Sequence, residues 1–86
     1  MEGSSVEEIQ SVVKDFIMRE FLPDEDPNEL QSDTPLISDG IIDSIAALKL
    51  VGFIEETYGI ELEAHEVDVD HLDSIALIAA LVQSKL

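Results

Sequence analysis

Along the first quarter of the chain the apolar side chains return every three or four positions. Val6, Ile9, Val13, Phe16 and Ile17 fall on one side of a 3.6-residue helix, with Glu7, Gln10, Lys14 and Arg19 on the other. Ser4 and Ser5 stand three residues ahead of Glu7 and Glu8, the spacing at which a serine hydroxyl and a carboxylate satisfy free amides at a helix start. A helix is predicted from near Ser5. Pro23, lacking an amide hydrogen and clashing with the preceding turn, ends it.

The periodicity then breaks. Residues 23–43 hold Pro23, Pro27 and Pro35 together with Asp24, Asp26, Asn28, Asp33, Ser38 and Asp39, which predicts a long loop, and a loop of that length in a small domain is usually functional. Leu30, Leu36, Ile37, Ile41 and Ile42 are expected to tuck it onto the rest of the chain. Asp39-Gly40 could instead mark a hairpin turn, but the flanking apolar pairs are too short for a stable sheet. Helical spacing resumes at Ser44 and runs to about Tyr58, with Ile45, Leu48, Val51 and Ile54 expected inward and Gly59 as a left-handed stop. Ile60 and Leu62 suggest an extended linker, and residues 64–68 one short helical turn. Asp73 is expected to cap a last helix with Ile75, Ile78, Leu81 and Val82 as its core stripe. The fold class predicted is all-α: a four-helix bundle with a short third helix and a long first loop.

Length and charge narrow the function. With 86 residues the chain is read as one domain, 1–86. Twenty acidic against four basic residues give a net charge of -16, which repels phosphate backbones and anionic lipid, so nucleic acid is excluded as a partner and basic protein patches are expected. The periodic 45% of hydrophobic residues argues against disorder. There is no cysteine, hence no disulfide or thiolate metal site. Neither a signal-peptide pattern nor an apolar run of roughly 20 residues occurs, so a cytoplasmic monomer without membrane insertion is expected.

Several kinds of chemistry fail on spacing. Asp24, Asp26 and Asn28 alternate like calcium ligands, but Glu29 stands at the glycine position and Pro35 at the closing glutamate position. Asp68 and Asp70 are followed by Leu72 at the next ligand place. His65 and His71 lack metal-ligand spacing, and no glycine-flanked nucleophile elbow exists. No metal ligands and no catalytic residues are assigned.

The segment Thr34-Pro35-Leu36-Ile37-Ser38-Asp39-Gly40-Ile41-Ile42-Asp43-Ser44-Ile45 sets an Asp-Ser pair where a glycine-punctuated loop meets an apolar helix. It resembles the phosphopantetheine attachment region of acyl and peptidyl carrier proteins. That resemblance, which extends over nearly the whole chain, implies a non-enzymatic, free-standing carrier. Ser44 would bear a covalent 4′-phosphopantetheine arm installed by a phosphopantetheinyl transferase, and Asp43 would help that transferase engage the site. The arm's thiol would hold an acyl or aminoacyl group as a thioester. Asp73-Ser74-Ile75-Ala76 repeats the tetrapeptide Asp43-Ser44-Ile45-Ala46 without the loop before it, and Ser74 is read as a helix cap.

Fatty-acid carriers typically place acids at the second and fifth positions after the serine, where this chain has Ala46 and Lys49. Ile45, Ala46, Ala47, Lys49, Gly52 and Phe53 are therefore read as the partner-binding face. They look more like the face of peptidyl, aryl or D-alanyl carriers, which adenylating ligases load. The alternatives are an acyl carrier for fatty-acid or polyketide synthesis, charged by an acyltransferase, and an acidic interaction module with no prosthetic group.

Overall fold

The computed structural model describes residues 5–86, apart from the side chain of Pro27. Its helices are α1 (Val6–Phe21), α2 (Ser44–Tyr58), α3 (Val69–Leu72) and α4 (Ile75–Lys85), with 3₁₀ turns at Pro27–Glu29 and Ala64–Glu66. No strand forms among the described residues, so the hairpin at Asp39-Gly40 does not exist.

Ser5 caps α1 as its spacing predicts: the Glu8 amide donates to Ser5 Oγ and the Ser5 amide to Glu8 Oε1, each at 3.1 Å. The matching Ser4–Glu7 pair lies outside the described residues. Ile9, Val13 and Ile17 are fully buried, and α1 packs mainly on α4 and also on α2. Phe16 sits at the border of this face and stacks on Phe53 of α2, with ring centroids 4.1 Å apart and planes 17° apart. The expected stripe of α4 is likewise buried through Ile75, Ile78, Leu81 and Val82.

Three local expectations are corrected. On α2, Val51 and Ile54 point inward, but Ile45 and Leu48 are 68% and 63% exposed, while Ala46, Ala47 and Leu50 are buried. The helix is apolar around nearly its whole circumference at this end, so spacing alone fits two faces, and the small alanines turn toward the bundle. The short helix is α3, at Val69–Leu72, rather than residues 64–68, which make only a 3₁₀ turn before it. Asp68 sets that start, its carboxylate accepting the His71 amide at 3.0 Å. Finally, Ser74 rather than Asp73 caps α4, its Oγ accepting the Leu77 amide at 3.1 Å.

The connector before α3 is tied down at both ends. Glu55 Oε2 accepts the Leu62 amide at 2.9 Å just after Gly59, whose φ of 66° closes α2 in the left-handed conformation. Glu66 meets Lys85 Nζ at 2.6 Å, joining the 3₁₀ turn to the last turn of α4. The hydrogen bond from Lys85, with a backbone amide from Glu63, holds the Glu66 carboxyl below its ordinary pKa.

Candidate functional site

The long loop arrives at α2 through a compact turn. Leu36 is fully buried, and its carbonyl accepts the amides of Ile41 and Ile42 at 2.8 and 3.1 Å. Gly40 makes the reversal with a φ of 74°. Leu30 and Ile42 are buried and Ile37 and Ile41 half-buried, so the loop's apolar residues pack on the bundle as their positions suggest. Asp73 closes α3, its amide donating to the Val69 carbonyl, and its side chain, not used to cap α4, reaches across to this turn. Its Oδ1 accepts the amides of Ile37 and Ser38, both at 2.8 Å, and its Oδ2 accepts the Ser38 hydroxyl at 2.7 Å. These bonds, from Ser38 first and then Ile37, stabilise the charged form and draw the Asp73 pKa below its ordinary value.

At the start of α2 the cap is Asp43, whose Oδ1 accepts the Ala46 amide at 2.8 Å. Ser44 is consequently the first helical residue, exposed, with its hydroxyl not consumed in capping. The repeated tetrapeptide is read one residue out of phase at α4, where the serine is the cap and is only 8% exposed. The same four letters therefore give one accessible serine and one structural serine.

Beside Ser44 opens a cleft of about 290 Å³ between α2 and α3. Ile37, Ala47, Leu48, Val67, Val69 and Leu72 give it apolar walls, and Asp43, Ser44 and Asp68 supply its polar groups. Asp68 Oδ1 lies 2.8 Å from His71 Nδ1, and this contact lowers the Asp68 pKa. No histidine, lysine or arginine is among the lining residues. Among the lining residues the titratable groups beside Ser44 are the carboxylates of Asp43 and Asp68. Among the described residues no three acidic or histidine side chains converge as a metal site would require.

The residues read as a partner face divide. Ile45, Lys49 and Gly52 are exposed, Phe53 is half-buried against Phe16, and Ala46 and Ala47 are buried. Ala47 contributes to the cleft wall instead, and Ala46 sits in a surface depression with Glu20, Phe21, Ile41, Asp43 and Lys49. Leu48, four residues from Ser44 on the same side of α2, and Val69 of α3 are exposed apolar residues flanking the cleft that sequence reasoning passed over. The signal for Leu48 was its i, i+4 relation to Ser44. Val69 carried none, because α3 is too short to show a period.

A helical bundle with a long loop delivering an exposed serine to the head of its second helix defines a carrier-type domain. The family profile described as the phosphopantetheine attachment site matches residues 7–82. The solved apo structure of KstB-PCP, a peptidyl carrier protein, is similar with a TM-score of 0.68 and 30% sequence identity, over 93% of this chain and 88% of that one. No curated protein matches in sequence. The chain belongs to the phosphopantetheine-binding carrier protein family, whose domain is the site of covalent 4′-phosphopantetheine attachment. No helix among the described residues is long and apolar enough to cross a membrane.

Proposed function

We propose that Ser44 is the attachment residue and that the chain, without catalysing a reaction itself, carries an acyl or aminoacyl group loaded by an adenylating ligase. The observation that carries the first part is the pairing of Asp43 as cap with Ser44 as an exposed first helical residue at the mouth of an apolar cleft. A hydroxyl in that position fits the prosthetic group: it is open to a transferase holding coenzyme A, and the cleft offers apolar surface beside it. When bound, the group supplies a thiol that forms a thioester. The chain's own part is to present Ser44, with Asp43 fixing the helix start that the transferase engages.

The choice of loading enzyme rests on the outer face of α2. Ile45 and Leu48 expose apolar surface, Lys49 is cationic, and the first turn of α2 has no acid. The basic grooves of fatty-acid enzymes would meet neither of the charges that they require. The similarity to a peptidyl carrier supports the same reading. Phosphopantetheinyl transferase and an adenylating ligase are the expected partners, acting where coenzyme A and ATP are found, in the cytoplasm.

The test has two stages. Apo-protein incubated with coenzyme A, Mg²⁺ and a phosphopantetheinyl transferase is expected to gain the mass of one arm, mapped by peptide analysis to Ser44. The holo-protein is then offered ATP, carboxylic acids and adenylating ligases in parallel with malonyl-coenzyme A and a malonyl transferase. Faster charging by a ligase supports the proposal. Efficient malonyl loading with no ligase active overturns the choice of loading enzyme, and an arm on another residue overturns the site.

A further inference from the structure

The Asp73 carboxylate lies far from Ser44 in sequence and outside the cleft lining, yet it binds the segment that forms one wall of that cleft. Three donors converge on it, all within 2.8 Å: two amides and the hydroxyl of Ile37 and Ser38. Its own carbonyl accepts a fourth bond from the Leu36 amide. Leu36 in turn binds Ile41 and Ile42 through its carbonyl, and Ile42 directly precedes the cap residue Asp43. Ile37 and Leu72, the chain neighbour of Asp73, are both cleft walls. One carboxylate thereby joins the loop wall to the α3 wall and stands behind the chain of bonds that leads to Ser44.

From this geometry we infer that Asp73 is a positioning residue for phosphopantetheine transfer, a latch that holds the loop in the form a transferase binds. The inference rests on Ser44 being the attachment residue. Without the latch the turn at residues 36–42 has to be ordered at the moment of docking. That entropy is charged to binding, so KM rises while kcat, set after docking, stays nearly the same. Asparagine keeps the arrangement: its oxygen can accept the two amides and its NH₂ can donate to the Ser38 hydroxyl.

The experiment measures KM and kcat of one transferase with apo wild type, Asp73→Ala, Asp73→Asn and Ser74→Ala, at a temperature where circular dichroism shows each to be folded. Asp73→Ala is expected to raise KM by about tenfold with kcat within about twofold, Asp73→Asn to restore most of the wild-type KM, and Ser74→Ala, which is destabilised without touching the latch, to leave KM unchanged. A general loss of stability would not produce that split. If Asp73→Ala does not fold, Ser38→Ala, which removes only the hydroxyl bond, carries the test with an expected rise of about threefold. Wild-type KM in a folded Asp73→Ala, or in Ser38→Ala where that variant is decisive, overturns the latch and leaves the attachment site standing. Wild-type protein that accepts no arm overturns both.

Discussion

The two copies of Asp-Ser-Ile-Ala make a controlled comparison inside one molecule. Replacing Ser44 with alanine removes an exposed hydroxyl at the first position of α2, leaves the Asp43–Ala46 cap bond intact and introduces a good helix former, so stability should stay within about 0.5 kcal/mol of wild type. Replacing Ser74 removes the acceptor of the Leu77 amide at a buried helix start, a loss of about 1 kcal/mol. At about 2.1 cal/mol/K per residue, a chain of 86 residues unfolds with an entropy near 0.18 kcal/mol/K, so that loss lowers Tm by about 5 °C. Calorimetry gives the melting temperatures, and intact mass after incubation with coenzyme A and a transferase gives the labelling. Ser44→Ala should melt like wild type and take no arm; Ser74→Ala should melt several degrees lower and be labelled in full. Labelling that survives Ser44→Ala, or equal destabilisation by both, would refute the out-of-phase reading of the repeat.

Other outcomes follow from the charge, the caps and the face of α2. Because -16 is spread over so small a body, moderate salt should raise Tm by screening repulsion; a Tm that falls with salt would show that the few ion pairs dominate. Acidification from pH 7 to about 5 should also raise Tm. Asp68 and Asp73 have native pKa values below the ordinary 3.8, so their contribution is complete above that value and is lost as the pH falls through the native ones, and a pH-resolved melt should turn downward there. Gly59→Ala forces a side chain into a φ of 66° and should cost about 1 kcal/mol, read as a lower denaturation midpoint in urea with an unchanged slope. Lys49→Glu should move enzyme preference toward malonyl loading with Tm nearly constant. Ala46→Asp, placing a carboxylate at a buried position beside Glu20 and Asp43, should mainly lower Tm, and a neutral Ala46→Asp would refute the packing described for α2.

Much of this is legible in the amino-acid sequence alone. The Ser5–Glu8 box, Pro23 and Gly59 each bear a local chemical instruction, so α1 and the end of α2 fall where they point. The face of α2 was not legible, since residues 45–51 are apolar except for Lys49 and helical spacing fits either Leu48 or Leu50 as the inward residue. Ser74 is the cap that its reading gave, whereas the ends of α3 and the role of Asp73 were missed for a related reason: Asp68, Asp73 and Ser74 are all good caps, and the bonds that Asp73 makes to the loop turn it away from α4. The cleft is a product of two helices and a loop distant in sequence, and no local pattern encodes it.

The bonds that pin the turn before α2 come from residues 35 and 36 positions further along, and the Ala76 amide reaches back to the Ser32 carbonyl in the same way. Contacts between segments so far apart form late, after the intervening chain has closed upon itself. On a ribosome adding about 5–20 residues each second, α1 and α2 can emerge and coil while their connecting loop still lacks the acceptor that shapes it. The serine-bearing corner of the molecule is thus completed only when residues 73–76 have been made and have docked. With Ser44 as the proposed attachment residue, a transferase is expected to act on the finished fold, since a half-made chain would offer it a helix without its approach.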